Sequence, residues 1–491
     1  MLKTKNKLSS DMRQRIFWTI IFAIPIMFIT PMFVEHDTWF LLNTGRYIMQ
    51  NGFPTIEPFT MHQNLAFMIP QWLSAVSFWL IYKYAGSFGL WLLRVLMISL
   101  YSYISYKLCM LVSNNNLNCS CALTLISTFV FFKFCTVRPQ IYTSTIFLFE
   151  LYLLENLSLT QKKKYAICLP FVSLLLINCS CAMWPMFFVL ALPYIVESFL
   201  KSNKFFEANP CPKIPLFTSL AFSFLAGFIN PYGFTGMTYL LRSFGQEEIN
   251  TAVIEMQPPT YRLGLGALVL IAFVISVYIF VKGTYKPRYF FLTAGTTVLA
   301  LMSIRNCNIF AIASIFPLAF LLRNYNMDFK IDSNPKNRKM FSFATTIMAC
   351  LLLTAGLKTT VNFVELDQEE HEPKAAIDCI LEDNDPDDVR LYTIMDYGSY
   401  AEFRGIKAFA DTRMEVLVKE NNKQKDFLAE WIELQKGNIH YKKFLEEYDF
   451  THILTFKNED STDILYTYLC EDPDYKILYE DEGYCVFIPI E

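Results

Sequence analysis

Several things are missing from this sequence, and each absence closes off a class of function. The five histidines, His36, His62, His371, His440 and His452, are too dispersed to define a site. No zinc spacing, no Ser/His/Asp order and no paired-glycine phosphate loop occurs, which removes the motif-defined zinc enzymes, serine hydrolases and phosphate-loop nucleotide enzymes. There is no basic footprint of the kind nucleic-acid phosphates require, so nucleic acid is not expected as a partner. Low-complexity tracts and internal repeats are also lacking. The 13 cysteines are scattered and define no disulfide framework. The close pairs Cys119/Cys121 and Cys179/Cys181 sit at the ends of apolar runs, where they read as buried thiols acting as small hydrophobes.

What is present in excess is apolar surface. Of 491 residues, 54% are hydrophobic and 16% aromatic, more than one soluble core can use. Apolar runs that could span a bilayer lie near 15–34, 70–86, 88–112, 119–135, 140–157, 165–182, 184–200, 214–231, 263–282, 287–304, 307–323 and 339–357. The first follows a basic stretch but lacks a small-residue cleavage site, so a retained helix is expected. Lys/Arg clusters at 3–15, 162–164, 201–213, 282–288 and 323–339 read as cytoplasmic loops. That assignment is self-consistent only if one early run does not cross. Run 70–86 is the weakest, being interrupted by Gln71, Ser74, Ser77 and Lys83 and rich in Trp and Tyr, and it reads as an interfacial helix. Eleven spans result, with the N-terminus cytoplasmic and the C-terminus outside.

Charge divides the chain in two. Residues 358–491 carry a net charge of −18 and residues 1–357 a net charge of +15. The expected organisation is therefore a transmembrane domain over 1–357, with an outer loop at 35–87 carrying interfacial helices, and a soluble extracytoplasmic domain over 358–491. In that tail, strand-like runs at 390–394, 406–410, 451–456 and 484–489 are separated by helix-like stretches at 373–382, 420–435, 441–448 and 462–470, which predicts a small α/β domain. The fold class expected is thus mainly α, a polytopic helical bundle with an α/β appendage.

Charged side chains at or near membrane depth are costly, so each asks for pairing or function. Glu35 and Asp37 follow the first span at once, with Arg46 about two helical turns on. Two such carboxylates could bind a divalent cation, one could act as general base, or both could simply face water at a helix end. Arg138, in a tight turn enforced by Pro139, and Arg305 are outer arginines against the usual charge bias; phosphate, carboxylate or a structural salt bridge would suit them. A long outer loop adds Asn230-Pro231-Tyr232-Gly233, then Glu255-Met256-Gln257-Pro258-Pro259, then Arg262. In the tail, Asp396-Tyr397-Gly398-Ser399-Tyr400 and Asp411-Thr412-Arg413 each follow a predicted strand, as site loops do, although an Asp and an Arg two residues apart can equally be a structural pair.

An acidic pair after the first span, a long outer loop, many spans and an outer C-terminal domain together resemble the GT-C superfamily of membrane glycosyltransferases, which includes protein O-mannosyltransferases and aminoarabinose transferases. A bacterial branch of that superfamily is similar through 37–46 (Asp-Thr-Trp-Phe-Leu-Leu-Asn-Thr-Gly-Arg), 52–60, Gln71-Trp72-Leu73, Arg138-Pro139-Gln140, 230–233, 255–259, Arg305-Asn306 and 411–413. The resemblance implies a cell-membrane enzyme that moves a sugar from a polyprenyl-phosphate donor to a glycan, lipid or protein acceptor outside the cytoplasm. Asp37, with Glu35 beside it, would be general base or ligand of a divalent cation such as Mg or Mn. Arg138, Arg305 and Arg262 would hold the donor phosphate. Arg46, Glu57, Gln71, Trp72, Gln140, Asn230, Tyr232, Glu255, Gln257, Asn306, Asp411 and Arg413 would line the substrate site. Two positions depart from the pattern: Glu57 and Thr60 stand where Asp and Ser are expected, and Asn178-Cys179-Ser180 stands where Asn-x-His is common. A non-catalytic membrane protein that keeps the fold, such as a lipid-linked glycan flippase, transporter or envelope-assembly scaffold, is the alternative from another class.

Overall fold

The computed structural model describes residues 34–132, 134–202, 206–243, 249, 253–260, 265–282, 285–323, 373–457 and 463–490. The first and last expected spans, near 15–34 and 339–357, lie outside these residues except for Val34. All the other apolar runs form helix. In chain order the helices are α1 (His36–Asn51), α2 (Trp72–Val112), α3 (Leu117–Phe132), α4 (Gln140–Thr160), α5 (Lys164–Cys179), α6 (Trp184–Glu197), α7 (Lys213–Ala226), α8 (Leu265–Lys282), α9 (Pro287–Met302) and α10 (Cys307–Leu321).

A straight 41-residue helix would run about 60 Å, twice the hydrocarbon thickness of a bilayer. Helix α2 is not straight: Gly86 breaks it at φ +58°, ψ −154°, a conformation that side-chain-bearing residues rarely adopt. The break falls where the interfacial run was expected to end and the next span to begin. The chain also divides there into two compact units. One, the helical unit, holds the described residues of Phe88–Met237 and Val253–Phe363. The other, the α/β unit, holds those of Phe33–Ser87, Thr238–Ala252 and Val364–Glu491.

The helical unit turns apolar side chains outward and polar ones inward. Leu92, Leu96, Leu100 and Tyr103 form an exposed stripe on α2, as do Ile167, Phe171 and Leu175 on α5. This spacing of three and four residues defines one helix face, and such faces suit hydrocarbon rather than water. Inside are hydroxyl pairs such as Tyr101–Ser127 (2.7 Å) and Ser102–Thr128 (2.8 Å), and Asn308 donates to Ser144 (2.6 Å). The described cysteines of this unit are free and, apart from exposed Cys168, buried, as the apolar-thiol reading expects. Helix α2 and the stretch Ile304–Leu321 are long and apolar enough to cross a membrane, and Cys119–Phe132, α5, α6 and α7 are apolar but shorter.

The α/β unit contains a five-stranded mixed sheet. Its further elements are α11 (Lys374–Asp383), β1 (Arg390–Tyr392), α12 (Met395–Phe403), β2 (Lys407–Ala408), α13 (Phe427–Gln435), α14 (Tyr441–Tyr448), β3 (His452–Phe456), α15 (Ile464–Glu471), β4 (Tyr475–Glu480) and β5 (Tyr484–Pro489). The strand order is β2-β1-β3-β5-β4. Strand β1 pairs in parallel with β2 and β3, whereas β5 runs antiparallel to β3 and β4. Parallel neighbours need crossovers, and α12 and the α13–α14 segment supply them. Four expected strands are present. Strand β4 was not expected; it is an edge strand with little burial, so it lacks a strong apolar signature. The stretch 396–400, expected at a loop position, lies in helix α12.

The boundary of this unit differs from the one drawn by charge. The strap 56–67 closes on itself through the Ile56–Ala66 bridge, and the Met61 N–H donates to the Ala408 carbonyl (2.9 Å). Met61 and Leu65 then complete a core made with Tyr392, Phe409, Leu428, Phe444, Ile453 and Phe487. Residues 358–491 are thus acidic as a block, but their core is finished by a segment some 340 positions earlier.

Candidate functional site

In the helical unit, three turns gather residues that were expected from sequence to lie on the outer side. Pro139 ends the turn 136–139, whose Arg138 N–H donates to the Thr136 carbonyl (2.7 Å), and α4 starts at Gln140. Arg94, buried in α2, secures the same turn by donating to the Cys135 carbonyl (2.8 Å). Glu255 lies on a single 3-10 turn, Ile254–Met256, and its carboxylate stands 3.6 Å from the Arg138 guanidinium, both partly exposed. The third turn, Ile304–Asn306, is tied to the second twice. Ser303 Oγ donates to the Glu255 carbonyl (2.9 Å), and the Ile304 N–H donates to the Gln257 carbonyl (3.0 Å). Asn306 donates back to the Leu299 carbonyl (3.1 Å).

Arg138, Gln140, Glu255, Gln257, Arg305 and Asn306 are therefore carried by three turns, two of them stitched backbone to backbone and the third reached through the Arg138–Glu255 pair. Arg305 is half-buried, and among the described residues it makes no hydrogen bond or ion pair. The Gln140 side-chain oxygen is buried and likewise has no hydrogen-bond partner among them. Asn230 is differently used. Its side chain donates to the Gly227 (2.7 Å) and Gly233 (2.9 Å) carbonyls and accepts from the Tyr232 N–H (2.9 Å), so it shapes its own turn. Asn178 donates to the Ile229 carbonyl (2.9 Å), linking the end of α5 to the approach to that turn. Arg262 lies outside the described residues.

In the α/β unit, the expected catalytic segment is helix α1. Asp37 lies in its first turn and Glu35 is its N-cap residue; both are half-buried. Acidic residues belong at a helix N-terminus, where the N–H groups and the dipole favour negative charge. Positions 36, 39, 43 and 46 form one face, and this face lies on α12. The His36 ring meets Tyr397 edge-on (5.5 Å), and Trp39 packs on Tyr400 (5.1 Å) and Phe403 (4.9 Å). Asn43 donates to the Glu402 carbonyl (3.3 Å), and Arg46 donates to the Phe403 carbonyl (2.7 Å) with its guanidinium over the Phe403 ring. Arg46, expected at the substrate, thus serves the last carbonyls of a helix, a favourable place for a cation. Gly45 lets α1 approach α2: a Cβ there would sit 2.2 Å from the Ala75 carbonyl oxygen. Gln71 and Trp72 begin α2, where the Gln71 carbonyl accepts from the Ala75 N–H (3.0 Å) and Trp72 meets Phe53 edge-on (5.4 Å).

Three further expected substrate residues are instead turned on one another. Arg413 donates to Glu57 (3.0 Å), to Glu402 (3.2 Å) and to Asp411, and all four side chains are almost fully buried. Glu57 also accepts the Phe59 (3.0 Å) and Thr60 (2.8 Å) N–H groups and the Thr60 hydroxyl (2.7 Å), so the departure from Asp and Ser keeps a closed turn. Burial, with Asp411 adding its charge, raises the Glu402 carboxyl well above the ordinary range, so it stays protonated and donates to Asp411. Burial also pushes Asp411 upward, but the Arg413 charge and the Glu402 hydrogen bond outweigh it and hold Asp411 below its usual value. The reading of Asp411 and Arg413 as a structural pair is the one the geometry matches.

A second buried cluster had no counterpart among the expected site residues. Arg288, 0% exposed at the start of α9, grips Glu155 of α4 with two nitrogens (2.7 and 3.0 Å) and Glu197 of α6 with a third (2.7 Å). Tyr194 (2.9 Å) and Tyr289 (3.0 Å) donate to Glu155, and the Asn209 N–H (2.7 Å) to Glu197. The signal was available: Glu155 and Glu197 are acids inside apolar runs, which calls for a partner. Among the described residues no group of three or more His, Cys, Asp or Glu comes together as a metal site.

No family model and no curated protein matches the sequence. Solved structures do. ArnT from Cupriavidus metallidurans, in a crystal structure with undecaprenyl phosphate bound, superposes with a TM-score of 0.54 at 12% identity over 96% of this chain and 97% of that one. Its apo form gives 0.56 at 10% identity over the same shares. The oligosaccharyltransferase of Archaeoglobus fulgidus, tethered to an acceptor peptide containing an NVT sequon, gives 0.53 at 12% identity over 89% of this chain and 68% of that one. Both are GT-C glycosyltransferases, and at such identities it is the architecture that is shared: this chain has the fold of the GT-C membrane glycosyltransferases.

Proposed function

We propose that this chain is an integral membrane glycosyltransferase that moves a sugar from a polyprenyl-phosphate donor to an acceptor outside the cytoplasm. The observation that carries the reading is the group of three turns that gathers Arg138 and Arg305 while giving the Arg305 guanidinium no hydrogen bond or ion pair among the described residues. A half-buried arginine so placed suits a phosphate oxygen, where fixed positive charge stabilises a leaving group. The fold supports the reading, because one structure sharing it holds undecaprenyl phosphate and another an acceptor peptide.

Asp37 takes the proton of the acceptor hydroxyl or amide as that group attacks the anomeric carbon. The bond from that carbon to the phosphate oxygen breaks, and polyprenyl phosphate leaves with the electron pair. Glu35 and Asp37 are two carboxylates that would hold a Mg-type ion whose shell is completed by water and phosphate; such an ion would supply positive charge to the leaving phosphate. The topology that goes with this reading has the N-terminus in the cytoplasm and the α/β unit outside.

The test is transfer by the purified protein from a radiolabelled polyprenyl-phosphate sugar. Asp37→Ala is expected to lower the rate by about 10²-fold or more, and Arg305→Ala by about 10²- to 10³-fold, with both variants folded. Full activity in either variant overturns its role. Donor binding without transfer by the wild type, across candidate acceptors, favours a non-catalytic carrier of the same fold.

A further inference from the structure

We propose that Arg413, together with Glu57, Glu402 and Asp411, is a positioning group for Asp37, acting by fixing α12, which in turn fixes α1. This rests on the reading of Asp37 as the base given above.

The four side chains come from three separate stretches of one compact unit. Glu57 lies on the strap 56–67, Glu402 on α12, and Asp411 and Arg413 just past β2. Arg413 joins the three through the contacts already described. Helix α12 is also held directly against the Asp411 turn: a Cβ on Gly398 would fall 1.9 Å from the Ala410 carbonyl oxygen, and Ser399 Oγ lies 2.9 Å from the Thr412 hydroxyl. What α12 then offers α1 is its own last turn. The carbonyls of Glu402 and Phe403 are the acceptors for Asn43 and Arg46, and the Tyr400 and Phe403 rings are the bed for Trp39. Glu402 thus belongs to both layers, its side chain in the ion cluster and its carbonyl under α1.

The cluster contains three acids and one guanidinium, and its balance depends on a proton between Glu402 and Asp411. With Glu402 protonated, Glu57 and Asp411 already set two negative charges on one buried guanidinium, so the arrangement is poorly placed to take a third. The charged groups facing Glu402 are Asp411, Arg413 and Glu57. Loss of the proton sets three carboxylates on one arginine and loosens the end of α12 on which α1 rests.

Hydrogen–deuterium exchange on the full chain in detergent tests this without substrate. In Arg413→Met, and in the double variant Asn43→Ala/Arg46→Met that leaves the cluster intact, amides of residues 39–51 are expected to exchange about tenfold faster, with β3 and β5 still protected. In the wild type, α1 protection, corrected for intrinsic exchange, falls as pH rises, and Glu402→Gln, which keeps the donor to Asp411, removes that fall. Unchanged α1 protection in the double variant, or in a folded Arg413→Met, overturns the proposal, as does the same pH response in Glu402→Gln. The transfer assay supplies a second readout. Arg413→Lys, which keeps charge but loses the planar fork, is expected to lower kcat about 10- to 100-fold with donor KM unchanged. A raised KM with intact kcat would instead make Arg413 a substrate contact. An inactive wild type with the expected exchange pattern defeats the transferase reading alone.

Discussion

Each unit of this molecule buries an arginine among carboxylates, and the two are balanced in different ways. In the helical unit Arg288 meets two glutamates, with Lys286 also buried close by, so the charges are even and every polar atom of the arginine has a partner. In the α/β unit Arg413 meets three acids. There a proton on Glu402 removes one of the two surplus negative charges. The first cluster joins α4, α6 and α9 through ions that need no titration to be satisfied. The second depends on pH by construction, and it lies beneath the helix that carries Asp37. The contrast separates a brace from an adjustable support: equal numbers of opposite charges make the former, and an odd acid makes the latter.

Removing each arginine gives the largest expected effect. Arg288→Met leaves two buried carboxylates with, among the described residues, only Lys286 close by to offset them and is expected to cost about 3–5 kcal/mol, read as loss of folded protein on size-exclusion chromatography. Arg413→Met should lie at or below the lower end of that range, because Glu57 keeps three other donors and Glu402 is already neutral. If the order reverses in thermal unfolding, the account of the charge balance is wrong.

The pH response comes next in size. Glu402 has a raised value in the folded protein, so between its unfolded value near 4.5 and the folded one the native state binds the extra proton. Its contribution to stability is therefore greatest at low pH and is lost as pH rises through that window. Asp411 acts in the opposite sense, stabilising above its unfolded value of 3.8 and losing that contribution only as pH falls further. The difference in Tm between Glu402→Gln and wild type should widen in favour of the variant from pH 5 to pH 9. A constant difference would show that the Glu402 value is not raised on folding.

Smallest is the effect of the exposed pair. Glu255→Gln removes an ion-pair partner of Arg138 at a partly exposed position, where such pairs contribute about 0–1 kcal/mol, so Tm should hardly change. The same variant takes the Glu255 charge away from Arg138 and should leave or improve donor binding, measured by titration with the polyprenyl-phosphate sugar. A clear loss of binding would make Glu255 a substrate ligand.

The sequence by itself determined the helical runs, the existence of an acidic α/β region, four of its five strands and the likeness to GT-C enzymes. Hydrophobic run length and period are local properties, and helix and buried strand follow from them. It also singled out Arg138, Glu255, Gln257, Arg305 and Asn306. Only the tertiary structure decided that these come together, because the turns bearing them, at 136–139, 254–256 and 304–306, are far apart in the chain and meet through one backbone bond, the Ser303 hydroxyl and the Arg138–Glu255 pair. It likewise decided that Glu57, Asp411 and Arg413 are bonded to each other and buried, that Arg46 serves the end of α12, and that the strap 56–67 completes the core of the C-terminal region. A charge announces in sequence that it needs a partner or a role. Which of the two it has depends on burial and on neighbours hundreds of positions away, and those are fixed only when the chain has folded.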